Sequence, residues 1–418
     1  MIKTFSSHKK PLILWAVATL FFAFQFILRL SVGILREDII SKYQIDTVMF
    51  GSLAGFYYLG YSGMQIPFGI MLDRFNFRMV IILGIMVTVL GTLPFILTNN
   101  WYYVLIGRFL IGAGSAVSFL AITKVIKLFF KEELHSQMIG FSFTFGLLGA
   151  VFGGKPMKLI FDNFGYEQGF TFLIIVSLAI ALMVFTVKDK TIARVEEQTN
   201  ETTSLRDIFN LLFDPTILII GISGGLMVGA LEGFADVWSM PFFNQVYGIE
   251  LSNSILAASF VYIGMCFGGP VLAYIAGYLK SENKVIILTN LLTMVIFLLL
   301  FLFTNWNFYL LCSLMIILGV LCCYQVIVFT KVSRIVDKKV TGLAIAVTNC
   351  LNMSFGYLFH FVISYLMQSS PVIEEANGAL RYDYSTFVIS LSVIPIACLI
   401  GLFGFLYISY RPNKLHIR

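Results

Sequence analysis

The 418 residues are 59% hydrophobic and only 12% charged, with a mean hydropathy of +0.90, which excludes a water-soluble globular domain and marks a membrane protein. The formal net charge of +6 comes from basic residues scattered over short connections. They form neither a one-faced patch nor an aromatic platform, so no nucleic-acid partner is expected.

Twelve apolar segments of spanning length follow one another, at 11–35, 48–72, 77–97, 102–130, 136–158, 167–187, 215–241, 252–279, 284–304, 306–330, 340–368 and 384–410. The opening MIKTFSSHKK is basic and precedes a run too long for a signal h-region, with no small-residue cleavage site after it, so it is expected to stay attached. In the stretch 56–78 an apolar, Gly-punctuated helix runs into Asp73, Arg74 and Arg78. Those charges cannot sit in hydrocarbon at an acceptable cost, and the chain must leave the membrane near Leu72.

Most Lys and Arg fall on one side of this alternation, the side of Lys9, Arg74, Lys131, Lys188, Lys280, Lys339 and Arg411, while Arg36, Lys42, Lys158 and Arg381 fall on the other. By the positive-inside rule both termini are cytoplasmic. Arg29, Arg108, Lys124 and Lys155 remain within spans.

The longest polar stretch, 188–214, is mixed in charge and ends amphipathically. It reads as a cytoplasmic linker between an N-terminal six-helix bundle, 1–187, and a C-terminal one, 215–418. The halves are copies: Phe56-x-Tyr58-x-Gly60 recurs as Phe260-x-Tyr262-x-Gly264, and Tyr43-x-Ile45-Asp46 as Tyr247-x-Ile249-Glu250, both 204 residues on. A duplicated six-helix unit is the mark of a secondary transporter with its site near the bilayer midplane.

Gly69, Asp73, Arg74 and Arg78 carry the spacing Gly-x-x-x-Asp-Arg-x-Gly-x-Arg, with Asn76 in place of the second Gly. By this motif the chain resembles the major facilitator superfamily. Asn tolerates a left-handed backbone better than most residues, so the turn is expected to survive the change. Arg108-x-x-x-Gly112, Arg29-x-Ser31, Met64-Gln65-Ile66-Pro67-x-Gly69, Lys124 and Gly149-Ala150-x-x-Gly153-x-x-Pro156 are similar to a bacterial subgroup likened to the lysosomal dipeptide carrier. An acidic residue associated with dipeptide binding in that carrier has no counterpart near Ala116. The resemblance implies an all-α membrane fold of twelve transmembrane helices in two six-helix repeats. It also implies that Asp73 and Arg74 brace a cytoplasmic closure, where spacing alone allows a mere turn cap.

Buried charges point to the site, since each costs several kcal/mol in hydrocarbon unless it finds water or a partner. Arg29 lies about 9 Å beyond the middle of the first span. Glu232 sits at a similar depth on the seventh, and the repeat maps it within one residue of Arg29. The two are read either as holding the carboxylate and amine of a zwitterion or as a permanent ion pair closing the outward side. Asp236, one turn farther out, is either a second gate residue or interfacial, and the interface is expected.

Lys124 is either an anion-attracting site residue or a snorkelling one, and Lys155 is expected to snorkel. His360 is a proton-coupling candidate or a packing residue. Glu232 is the stronger proton carrier, because a carboxyl in a poorly hydrated cavity keeps its proton near neutral pH. Gln25, Gln325, Asn349 and Asn352 either line the cavity or bond neighbouring helices. Gly221, Gly225, Gly229 and Gly233 recur every four residues beside Glu232, a stripe suited to close helix approach or to bending.

Six cysteines fall inside spans without zinc-ligand spacing, and no Gly-rich phosphate loop is present. No cofactor or metal is expected, and energy must come from gradients. The reading is a monomeric transporter, not an enzyme, in the bacterial cytoplasmic membrane, taking a small-molecule substrate with proton coupling. The alternative is a non-transporting receptor or an intramembrane enzyme on the same scaffold.

Overall fold

The computed structural model describes residues 9–187, 205–337, 340–370, 373–374 and 380–410. The opening eight residues and most of the expected linker, 188–204, lie outside the described residues. Among the described residues the chain is helical apart from a two-stranded antiparallel pair, Ile373–Glu374 with Leu380–Arg381. Eleven helices are long and apolar enough to cross a membrane, from Pro11–Ile34 to Tyr384–Tyr410. Thr47–Arg74 is as long, 28 residues, but Ser52, Tyr57, Tyr58, Tyr61, Ser62 and Gln65 dilute its apolarity. A helix must satisfy its own backbone in lipid, which is why nearly every described residue is helical.

Two boundaries differ from those expected. The segment 136–158 is not one span: Glu132–Gly153 stops at Gly154, and a separate helix, Lys155–Phe164, follows. Pro156 sits in its first turn, where a missing N–H costs nothing. The span beginning at Pro215 extends to Tyr247 because its middle is not α-helical; Gly229–Trp238 is a π-helical segment between two α-helical stretches.

Chain contacts gather into two compact units. One comprises residues 1–29 and 59–204, the other 30–58 and 205–418. In the first, a Cβ on Gly60 would strike the Phe109 carbonyl oxygen, and Gly91 and Gly107 face each other so closely that a Cβ on either would meet the other's carbonyl oxygen at 2.5 Å. In the second, a Cβ on Gly264 would strike the Ile316 carbonyl oxygen. Gly60 and Gly264 are repeat equivalents, so both copies use the same residue for the same close approach. Helices in lipid gain nothing from hiding apolar surface from one another, and intimate backbone contact supplies the missing attraction.

The glycine stripe of the seventh span has a definite partner. Gly221 faces Leu351, Gly225 faces Phe355, Gly229 faces Phe359, and Gly233 faces Phe359 and Ile363, all on the helix Thr341–Gln368. Small residues every four positions receive large ones every four positions, which is packing of ridges into a groove. At its far end the groove runs into the π-helical segment.

Gly264→Val should lower the thermal midpoint in detergent by the equivalent of about 1–3 kcal/mol, because the carbonyl it meets cannot move without parting two helices. Gly269→Ala, whose Cβ would meet nothing within 4 Å, is the control and should leave the midpoint unchanged.

Candidate functional site: a carboxyl pair between two repeat-related tyrosines

Within the unit of residues 30–58 and 205–418, the π-helical segment carries both acids of the seventh span. Tyr58, on Thr47–Arg74, has its hydroxyl 2.7 Å from Glu232 Oε2 and also hydrogen-bonded to Asp236 Oδ2. Tyr262, on Leu251–Leu279, donates to Asp236 Oδ1. Tyr58 and Tyr262 are the tyrosines of the repeated Phe-x-Tyr-x-Gly, so the two copies converge on one carboxylate. The His360 ring lies against Tyr58, centroids 5.6 Å apart. Glu232, Asp236, His360, Tyr58 and Tyr262 are all buried.

Asp236 is thus buried in the protein, hydrogen-bonded by two phenols where an acid at the interface is expected to meet water. The segment is also closely approached by the end of the first helix, since a Cβ on Gly33 would strike the Asp236 carbonyl oxygen. A single π-helical stretch inside an α-helix is a frequent companion of functional sites.

In the unit of residues 1–29 and 59–204, Arg108 is buried and donates through Nη1 to the Leu28 carbonyl (2.8 Å) and through Nη2 to the Arg29 carbonyl (2.6 Å). Its fork thus fixes the backbone that carries Arg29. The Arg29 guanidinium is buried and lies 5.4 Å from the Phe26 ring. Lys124 donates to Asp73 Oδ1 (2.8 Å) and to the Leu72 carbonyl (2.6 Å). Arg78 donates to the Val187 carbonyl at 2.7 Å, while Arg74 ends its helix exposed. A Cβ on Gly69 would meet nothing within 4 Å. Asn76 is not left-handed: at φ −56° it caps the next helix, its side chain accepting from the Met79 N–H at 3.3 Å. Asn is a strong N-cap, and that is the reason it serves in the turn.

A family model described as the Major Facilitator Superfamily matches residues 14–359. The chain belongs to this superfamily. Among its curated relatives is an uncharacterized transporter of Buchnera aphidicola subsp. Schizaphis graminum, 32% identical over 175 residues, 40% of this chain and 44% of that protein, so the match spans less than half of that relative. Another, from Buchnera aphidicola subsp. Acyrthosiphon pisum, is 24% identical over 375 residues, 88% of this chain and 85% of that one. In solved structures, a bacterial homologue of the human lysosomal transporter Spinster, inward-facing and unoccupied, superposes with a TM-score of 0.75 at 15% identity, over 96% of this chain and 97% of that one. A D-xylose-proton symporter gives 0.71 at 13% identity, over 97% and 98%. These structural likenesses show a shared fold.

In this major facilitator protein the helix 2–3 motif is thus built around a Lys124–Asp73 pair, with the side chains 17% and 36% exposed. The remaining candidates divide between the units. Gln25 is buried in the first. In the second, Gln325 Nε2 and both polar side-chain atoms of Asn352 are buried with no hydrogen-bond partner among the described residues, and Asn349 is half-buried. Lys155 opens the helix Lys155–Phe164, half-buried. Among the described residues no group of three or more His, Cys, Asp or Glu side chains is placed to hold a metal. Tyr58 and Tyr262 are visible in the sequence only as a repeat, and their contact with the two acids comes from the packing of three helices.

Asp73→Asn and Lys124→Met should each slow transport while shifting stability by no more than about 1 kcal/mol, since the pair is partly exposed to water. If the two act as one contact, the double variant is no slower than either single one. Solute flux and thermal midpoints across this four-member cycle check it; additive losses would separate the two residues.

Proposed function

We propose that this superfamily member is a secondary transporter that moves a small polar or zwitterionic organic solute, an amino acid, small peptide or organic anion, by proton-coupled alternating access. It works as a monomer in the bacterial cytoplasmic membrane with both termini inside. The observation that carries the coupling is the sharing of Tyr58 by Glu232 and Asp236. A phenol has one hydrogen to donate, and a carboxylate has none. Both contacts are hydrogen bonds when one of the two carboxyls holds a proton. Asp236 also accepts from Tyr262, and the shared proton is assigned to Glu232. A rearrangement that parts Tyr58 from the acids removes the shared hydrogen bond and lets the proton leave.

Arg29 is the residue proposed to take the anionic group of the solute, with its backbone held by Arg108. A planar fork suits a carboxylate better than a point charge does. The shared fold of a protein named as a D-xylose-proton symporter supports proton coupling on this scaffold. With the termini inside, the contact of Gly33 with the Asp236 carbonyl lies toward the outer face, and it serves as a closed outer gate.

A thermal-shift screen of amino acids, small peptides, organic anions and sugars identifies the solute, because a ligand that binds only the folded state raises the midpoint. In proteoliposomes Glu232→Gln should then abolish pH-driven accumulation and spare counterflow exchange, which moves no net proton. Arg29→Lys should weaken uptake by tenfold or more despite keeping the charge. Unchanged accumulation in Glu232→Gln overturns the coupling. Recovery of uptake in an Arg29→Glu, Glu232→Arg double variant would instead make the two residues a structural ion pair.

A further inference from the structure

Just beyond the carboxyl pair, the same π-helical segment ends at Trp238, and the chain there surrounds a cation with no matching anion. Arg36 opens the short helix Arg36–Tyr43 and is 5% exposed. Its guanidinium carbon lies 5.8 Å from the Phe50 ring centroid and 5.9 Å from that of Trp238. Those two rings meet edge to face, 6.2 Å apart. Arg36 Nε and Nη2 are buried without a hydrogen-bond partner among the described residues, and so is Nε1 of Trp238, which is 0% exposed. Three buried donors thus border one aromatic cluster and find no acceptor among the described residues.

Among the described residues the surrounding groups do not supply an acceptor. The Thr47 and Tyr382 hydroxyls hydrogen-bond each other, and the Tyr382 N–H donates to Gln245 Oε1 at 3.0 Å, but none of these groups accepts from Arg36 Nε or Nη2. Tyr382 and Glu37 act on Arg36 from a distance, opposing the fall in its ionisation that burial causes. Glu37 itself is exposed, and no ion pair joins it to Arg36. Guanidinium does not shed its proton in proteins, so the charge stays. A buried charge is tolerated only when it is paired, and an unfilled buried donor is a rarity that calls for a ligand or ion.

We infer that Arg36 and Trp238 form an occlusion site for a small monovalent anion, of the size of chloride or a one- or two-carbon carboxylate. The anion takes charge-assisted bonds from the two guanidinium N–H groups and a neutral one from the indole. It ties the segment 36–50 to the end of the π-helical segment and favours the packed arrangement of this unit. The site is separate from the proton site and needs no assumption about the transported solute.

The test uses purified full-length protein in detergent, exchanged into sodium gluconate, whose anion is too large to enter. Chloride or acetate is then titrated in at constant ionic strength while the thermal midpoint is followed. The expected result is a saturable rise with chloride, acetate or both, the responding ion identifying the source. Arg36→Leu should lose the response and melt no lower than wild type in gluconate, since it removes an uncompensated charge. Trp238→Phe keeps the ring and loses only the N–H; it should shift half-saturation several-fold upward, and it decides the matter if Arg36→Leu does not fold. A wild-type midpoint indifferent to all three anions overturns the proposal. So does an anion response equal to wild type in Trp238→Phe or in Arg36→Leu.

Discussion

A charge inside a low-dielectric slab must be answered by something within reach, and this one constraint organises the protein. Apolar spans set the length of each helix, but the polar groups decide where helices meet. Arg108 is answered by two main-chain carbonyls of the first helix, Lys124 by Asp73 and a carbonyl beside it, and Asp236 by two tyrosines. Each answer comes from a different helix than the charge, so each also locks a helix pair. The glycine contacts do the complementary work: they bring backbones close enough for these short polar reaches to succeed.

The carboxyl pair shows how the repeat becomes a device. Duplication placed a tyrosine at the same position in both halves, and the two tyrosines now meet at one acid on the seventh span. Neither copy holds such a site alone. On the proposed assignment, the sharing of the Tyr58 phenol between Glu232 and Asp236 links the proton count of the pair to the position of the Tyr58 helix. Moving that helix changes which protonation state is favourable, and changing protonation alters the hold on the helix. Reciprocity of this kind is what coupling between proton and conformation requires.

The spans, the twofold duplication and the superfamily motif were all legible, because they are carried by composition and spacing. Glu232 was legible as well, since any acid in an apolar run signals a cost that must be met. Asp236 was not. It lies toward the outer part of its span, where depth alone argues for the interface, and its tyrosine partners come from helices remote in sequence. The π-helical segment left no trace in periodicity, because ten residues are too few to distinguish its turn from that of an α-helix. Asn76 was read by its tolerance of a left-handed backbone when the structure uses its side chain as a cap. Arg36 counted only as a marker of topology; its burial depends on Phe50 and Trp238, which are remote in sequence and unremarkable there.

The central claim is that Glu232 holds a proton while it shares Tyr58 with an ionised Asp236, and infrared difference spectroscopy tests it without a known solute. Purified protein at neutral pH should show the carbonyl stretch of a buried protonated carboxyl. Glu232→Gln should remove that band, and Tyr58→Phe should shift it by withdrawing its hydrogen-bond partner. A spectrum with no protonated carboxyl band that depends on Glu232 at neutral pH would contradict the account.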